Sequence, residues 1–152
     1  MNNSYEIETI ENPHTSGHPL YEGALGICDT IFGAGSRAKV EKELSGRNRS
    51  LLTVAHDSGK ALGFKLGYEE KPDKFYSWLG GVAPEARKTG LGKALMQSQH
   101  DWCKKAGYPR IQTRTKNKWR EMLILNLKSG FDIIGTYTDE EGEPKIILEK
   151  KL

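Results

Sequence analysis

The stretch Gly81-Val-Ala-Pro84-Glu-Ala-Arg87-Lys88-Thr89-Gly90-Leu91-Gly92-Lys93-Ala-Leu95 decides how the rest of the chain is read. An apolar strand end runs into a proline, then into a basic, glycine-bearing turn that opens directly into an amphipathic helix. That order builds an anion site. The first N–H groups of a helix lack intrahelical acceptors, the helix dipole favours negative charge beside them, and glycine lets an acidic ligand approach the main chain. Gly90 and Gly92 supply the open backbone, while Arg87, Lys88 and Lys93 set positive charge against one acid, Glu85. The expected ligand carries phosphate.

Two familiar phosphate motifs do not fit. The phosphate loop of nucleotide hydrolases needs glycine three residues before Gly90 and a hydroxyl after the lysine, where this chain has Arg87 and Ala94. The dinucleotide fingerprint needs glycine three residues after Gly92, and Leu95 is there.

Val82, Pro84, Arg87, Gly90 and Gly92 together resemble the acetyl-CoA-binding motif of the GNAT superfamily of N-acetyltransferases, a Val-x-Pro approach followed by Arg-x-x-Gly-x-Gly. Downstream, Asn126-Leu-Lys-Ser-Gly130-Phe131 resembles the same family's helix-end signature. The resemblance implies acetyl-CoA as cosubstrate, held by Arg87, Lys88, Thr89, Gly90, Leu91, Gly92 and Lys93 at the turn. It also implies contacts from Gly80 and Val82 to the pantetheine arm and thioester. Glycines at Gly80 and Gly81 suit close approach of a ligand.

The chemistry that the resemblance implies is direct attack of an acceptor amine on the thioester, with no covalent enzyme intermediate. Such a site needs donors for the oxyanion, a way to remove the amine proton and a proton for the leaving thiolate. Here the chain departs from the family. The tyrosine that often stands four residues before the closing glycine is replaced by Asn126, which can hydrogen-bond the thioester but is no acid. The glutamate base that some members carry eleven residues before the turn arginine is replaced by Tyr76, which becomes the candidate base beside a water relay. Trp119 takes the place of an asparagine that commonly contacts the cofactor arm, leaving Asn117, two positions earlier, as the candidate. These departures keep a second reading open: a catalytically silent acetyl-CoA sensor of the same fold.

Length and composition agree with one compact domain over residues 1–152, with 28% charged and 36% hydrophobic residues. The 23 basic and 20 acidic residues leave a net charge of +3, without the concentrated basic face of a nucleic-acid binder. One acid-free basic run, Arg110, Arg114, Lys116, Lys118 and Arg120, reads as a solvated surface or as contact with phosphates or an acidic partner. The amino terminus, Met1 to Glu11, has no apolar core of a signal peptide, and no window suits a membrane span. Cys28 and Cys103 are expected as free thiols in a reducing compartment, which makes the cytoplasm the default location. No metal is expected: His14 and His18 flank a loop without a third ligand, and His100 with Cys103 reads as an inert helix pair.

Periodicity gives strands at Tyr5 to Ile10, Leu51 to His56, Ala61 to Tyr68, Phe75 to Val82, Arg110 to Thr115, Phe131 to Thr138 and Lys145 to Lys150. It gives helices at Leu20 to Phe32, Arg37 to Leu44, Leu91 to Ala106 and Trp119 to Ser129. Strand, turn, helix and strand at the centre form a crossover with parallel pairing, flanked by antiparallel hairpins. The fold class is mixed α/β: a twisted mixed sheet with helices on both faces, GNAT-like by resemblance. The expected acceptor is a small-molecule or peptide amine, with neither nucleic acid nor membrane as partner and the protein a monomer or homodimer. Asp139, Glu140, Glu141 and Glu143, in the last hairpin turn, suggest a cationic acceptor drawn in by charge.

Overall fold

The computed structural model describes residues 4–152; residues 1–3, on which part of the reading of the amino terminus falls, lie outside the described residues. The order is β1 (Glu6–Glu11), α1 (Pro19–Phe32), α2 (Ser36–Ser45), β2 (Ser50–Asp57), β3 (Lys60–Lys71) and β4 (Lys74–Val82). It continues with α3 (Leu91–Lys105), β5 (Arg110–Thr115), α4 (Arg120–Lys128), β6 (Asp132–Thr138) and β7 (Pro144–Lys151). Short 3₁₀ turns occupy Pro13–Thr15 and Pro84–Ala86.

Local chemistry explains the boundaries. Leu20 N–H donates to His18 Nδ1, Pro19 occupies the first turn of α1, and Gly33 ends it at φ 94°. Helix α3 stops before Gly107 and α4 before Gly130, both at positive φ. The β3–β4 hairpin is longer than its hydrophobic pattern, because the polar end Glu69-Glu70-Lys71 stays in the ladder up to the turn at Pro72 and Asp73.

The seven strands form one sheet in the order β1-β2-β3-β4-β5-β7-β6, in which only β4 and β5 run parallel. Alternation along the strands sorts side chains to two faces. Leu52, Val54, Phe64 and Leu66 pack with Leu20, Leu25 and Leu44 of α1 and α2. On the opposite face, Phe75, Ile111 and Leu148 pack with Met96 and Cys103 of α3. Burial of this apolar surface is the main favourable contribution to folding.

Two irregularities make room for a site. Parallel pairing of β4 with β5 is confined to Phe75, Tyr76 and Ser77 against Ile111, Gln112 and Thr113. The β3–β4 register then slips between Leu66 and Gly67, placing Trp78 in a bulge so that Trp78 and Leu79 both pack toward α1. Beyond Ser77 and Thr113, β4 and β5 part, while β3 and β4 stay paired to Val82.

Candidate functional site: a cleft between two parting strands

The space left by that parting is a cleft of about 190 Å³. Its walls come from Ser77, Trp78, Leu79 and Gly80 of β4, Thr113, Arg114 and Thr115 of β5, and Trp119, Met122 and Asn126 at α4. Lys65 of β3, Lys145 of β7, and Ile31 and Phe32 at the end of α1 complete it. Because residues from both sheet faces line it, the cleft passes through the sheet. Phe32 and Trp119, each 44% exposed, meet edge to face with centroids 6.3 Å apart and frame one mouth.

The turn that follows β4 ends in an open helix start. Lys88 and Gly90 both take positive φ, 62° and 81°, and Gly90 caps α3 without any side-chain hydrogen bond. The first helical bond runs from Ala94 N–H to Gly90 C=O, so the N–H groups of Leu91, Gly92 and Lys93 precede the intrahelical ladder. A Cβ at Gly92 would meet only Leu125, at an ordinary 3.6 Å, so protein packing does not require glycine there. The turn is held by Thr89, whose hydroxyl donates to Ala86 C=O at 2.6 Å, and by Arg87, whose Nε–H donates to Val82 C=O at 3.2 Å.

Of the two glycines at the end of β4, Gly81 has a protein-side reason. A Cβ on Gly81 would lie 2.4 Å from Ile31 Cδ1, so its absence lets α1 pack against the strand. A Cβ on Gly80 would meet Lys65 Cγ at 3.5 Å and Nζ at 3.6 Å. Those are ordinary contacts, so packing does not require glycine at Gly80 any more than at Gly92.

Lys65 is the residue that sequence reading missed. It sits opposite Gly80 in the β3–β4 ladder, is only 7% exposed, and lines the cleft. Burial pushes its ammonium down to about 8. Its signal in the sequence is slight: one lysine at a central position of an otherwise apolar strand, Ala61-Leu-Gly-Phe-Lys-Leu-Gly-Tyr68. Close by, Ser77 Oγ–H donates to the buried Gln99 Oε1 at 3.0 Å. His100, whose value burial and the charges of Lys150 and Lys65 push down to about 3, lies 3.0 Å from Lys150 Nζ through Nδ1.

The expected site residues fall in three places. Gly80 and Asn126 share the cleft, Asn126 being 2% exposed, and its carbonyl closes α4 by accepting from Ser129 and Phe131 N–H. Arg87, Lys88, Thr89, Gly90, Leu91, Gly92 and Lys93 form the turn and helix start, and Val82 joins them through the Arg87 bond. Asn117 is exposed in the β5–α4 turn, outside the cleft lining. Tyr76 also lies outside it: the ring packs on Tyr68 in the α1–α2 core, and burial pushes the phenol up to about 12. A phenol so placed is a poor base.

Other groups stay quiet. Burial pushes the Cys28 and Cys103 thiols up to about 12, which fits inert core cysteines. The acidic turn is answered from within: Lys116 Nζ lies 2.9 Å from Asp139 and 3.5 Å from both Glu141 and Glu143. Glu6, Glu8 and His56 bring ligand-type atoms within 4.8 Å of one another, on the β1–β2 edge and not in the cleft. No helix among the described residues is long and apolar enough to cross a membrane.

Comparison with known proteins agrees with this geometry. A family model described as the acetyltransferase (GNAT) family matches residues 13–121. No curated protein sequence matches the chain. Among solved structures, an IAA acetyltransferase from Bacillus cereus superposes with a TM-score of 0.79 at 21% identity, covering 98% of this chain and 100% of that one. A GNAT family acetyltransferase from Elizabethkingia anophelis with acetyl-CoA bound gives 0.75 at 18% identity, covering 99% and 100%. A ribosomal-protein alanine N-acetyltransferase from Escherichia coli gives 0.75 at 19%, covering 97% and 93%. With its seven-stranded mixed sheet, its open α3 start and a family match across most of its length, the chain belongs to the GNAT acetyltransferase family.

Proposed function

We propose that this protein, as one cytoplasmic domain over residues 1–152, transfers the acetyl group of acetyl-CoA to a primary amine by direct attack. The observation that carries the reading is the pairing of three unbonded N–H groups at the α3 start with a cleft opened by the parting of β4 from β5. The N–H groups of Leu91, Gly92 and Lys93 bind the pyrophosphate, helped by Arg87, Lys88 and Lys93. The pantetheine arm follows the unpaired edge of β4 past Val82 and Gly80. The thioester comes to rest beside Asn126.

The acceptor nitrogen attacks the thioester carbon, a C–N bond forms, and the tetrahedral species collapses with loss of the C–S bond. Asn126 donates a hydrogen bond from its amide to the thioester oxygen or sulfur, positioning the group without exchanging a proton. Lys65 supplies the proton that the departing thiolate takes, the role for which Asn126 has no acidic group, and it is recharged from solvent. The nitrogen's own proton leaves to water. An ammonium held near 8 donates more readily than an ordinary lysine.

The experiment is a stoichiometric assay: acetyl-CoA with a broad amine panel, reading free thiol and N-acetyl product together. Equal amounts of both support the transferase. Acetyl-CoA binding with neither product favours the silent sensor, to which the missing tyrosine at Asn126 points.

A further inference from the structure

The charge of the cleft runs against the acidic turn. Its lining includes three basic residues, Lys65, Arg114 and Lys145, and no carboxylate. Resting on the transferase reading above, we propose that Arg114 and Lys145 form an anion subsite, and that the acceptor is an amine bearing a carboxylate.

Three observations lead there. First, strand alternation places Arg114 and Lys145 on the face of α1 and α2, opposite Thr113, Thr115 and Ile146, and so opposite the face that carries the α3 turn. The pyrophosphate is met by the helix start, and the pantetheine arm is uncharged, so these two cations are left for the acceptor. Second, both have donors to spare. Arg114 spends Nη2 on Glu70 at 3.3 Å and on Gln112 at 3.4 Å, stacks its guanidinium 4.8 Å from the Tyr76 ring centroid, and keeps a buried Nε–H without a partner. Glu70 is shared with Lys74 at 2.7 Å, so it does not cancel Arg114 alone. Lys145 forms no ion pair among the described residues; burial, Lys116, Arg114 and Lys39 push its ammonium down, against the pull of Asp139. Third, three of the four carboxylates that suggested a cationic acceptor, Asp139, Glu141 and Glu143, are engaged by Lys116.

The chemistry is self-consistent. An amine attacks only when uncharged, and a positive cleft lowers the pKa of any ammonium within it. The cations that hold a carboxylate therefore also help free the nucleophile, in a site with no acidic base in its lining. A diamine meets the same field as repulsion. Arginine's planar fork suits a carboxylate.

The test is a competition in one vessel. Amino acids, their own carboxamides and straight-chain diamines are mixed at equal concentration with acetyl-CoA, and N-acetyl products are quantified by mass spectrometry. The carboxylate member of each pair is expected to lead its carboxamide by about tenfold or more, the size of one charge-assisted hydrogen bond. Lys145→Gln should shrink that lead while leaving acetyl-CoA affinity unchanged; Arg114→Gln should do the same, and Lys145 is the cleaner site because Arg114 also anchors Glu70. A lead for carboxamides or diamines, or a preference unchanged in Lys145→Gln, overturns the proposal and leaves the transferase standing. Acetyl-CoA binding with no acetylated amine of any charge overturns the transferase reading, and this proposal with it.

Discussion

At the proposed cofactor end, three consecutive residues, Leu91, Gly92 and Lys93, offer main-chain N–H groups, with Arg87, Lys88 and Lys93 adding charge beside them. At the proposed acceptor end the groups are side chains, Lys65 from β3, Arg114 from β5 and Lys145 from β7, brought into one cleft lining by the sheet order. Backbone recognition is written locally, as a turn leading into a helix. Side-chain recognition depends on which strands are neighbours and on which face each residue falls.

The largest effect should come from the acceptor end. Lys65→Met removes the proposed proton donor, and kcat should fall by about a hundredfold or more, with loss of the basic limb of the pH profile near 8. The same change should stabilise the fold. Because the folded value of about 8 lies below the ordinary 10.5, the unfolded chain holds a proton in that window that the folded chain has lost. Parent stability therefore rises as pH climbs from about 8 to 10.5. Lys65→Met should gain about 3 kcal/mol at neutral pH, at 1.4 kcal/mol per unit, and the gain should vanish above the window. Chemical denaturation at several pH values checks this. A flat difference would mean that Lys65 carries no burial penalty.

The cofactor end should answer differently. Gly92→Ala fits the protein, since the added Cβ meets only Leu125 at 3.6 Å, and alanine favours the helix. Acetyl-CoA affinity should nonetheless fall by about tenfold as the methyl group crowds the pyrophosphate, with stability unchanged or slightly raised. Gly90→Ala reverses the pattern: φ 81° puts about 1–2 kcal/mol of strain into the folded state. Calorimetry paired with thermal melting separates the two.

Asn126→Ala lies between the ends. Loss of one positioning hydrogen bond should lower kcat by about tenfold while the basic limb persists, because no titrating group is removed. Disappearance of the limb in this variant, with its survival in Lys65→Met, would exchange the two roles. The smallest effect is expected at the acidic turn. Glu140→Gln, Glu141→Gln and Glu143→Gln together should change kcat/KM by less than about twofold, since Lys116 already answers Glu141 and Glu143 in solvent, where such pairs count for little.

The same contrast explains what could be read in advance. Every strand and helix was legible, because periods of two and 3.6 mark faces and because Gly33, Gly107 and Gly130 punctuate them. The α3 start was legible for its local pattern. The bulge at Trp78 was not, since an extra residue in one strand leaves no compositional mark, and without it the parting of β4 from β5 has no sequence signal. Nor was the insertion of β7 between β5 and β6, which carries Lys145 to the cleft. The spacing from Arg87 that points to Tyr76 is blind to sheet face; alternation turns its ring into the α1–α2 core. Lys65 reads as one more charge in a strand, because its burial beside the cleft depends on how β3 pairs with β4.

The central claim is that one acetyl-CoA molecule spans from the α3 start to the parting of β4 and β5. Amide NMR during an acetyl-CoA titration tests it most directly, since the main-chain N–H signals of Leu91, Gly92 and Lys93 and the side-chain NH₂ of Asn126 report the two extremes. All four should shift together along a single binding curve, with the strong downfield movement of amides meeting phosphate at the helix start. Shifts confined to other elements, or an Asn126 signal indifferent to the acetyl group when acetyl-CoA is exchanged for CoA, would contradict the account.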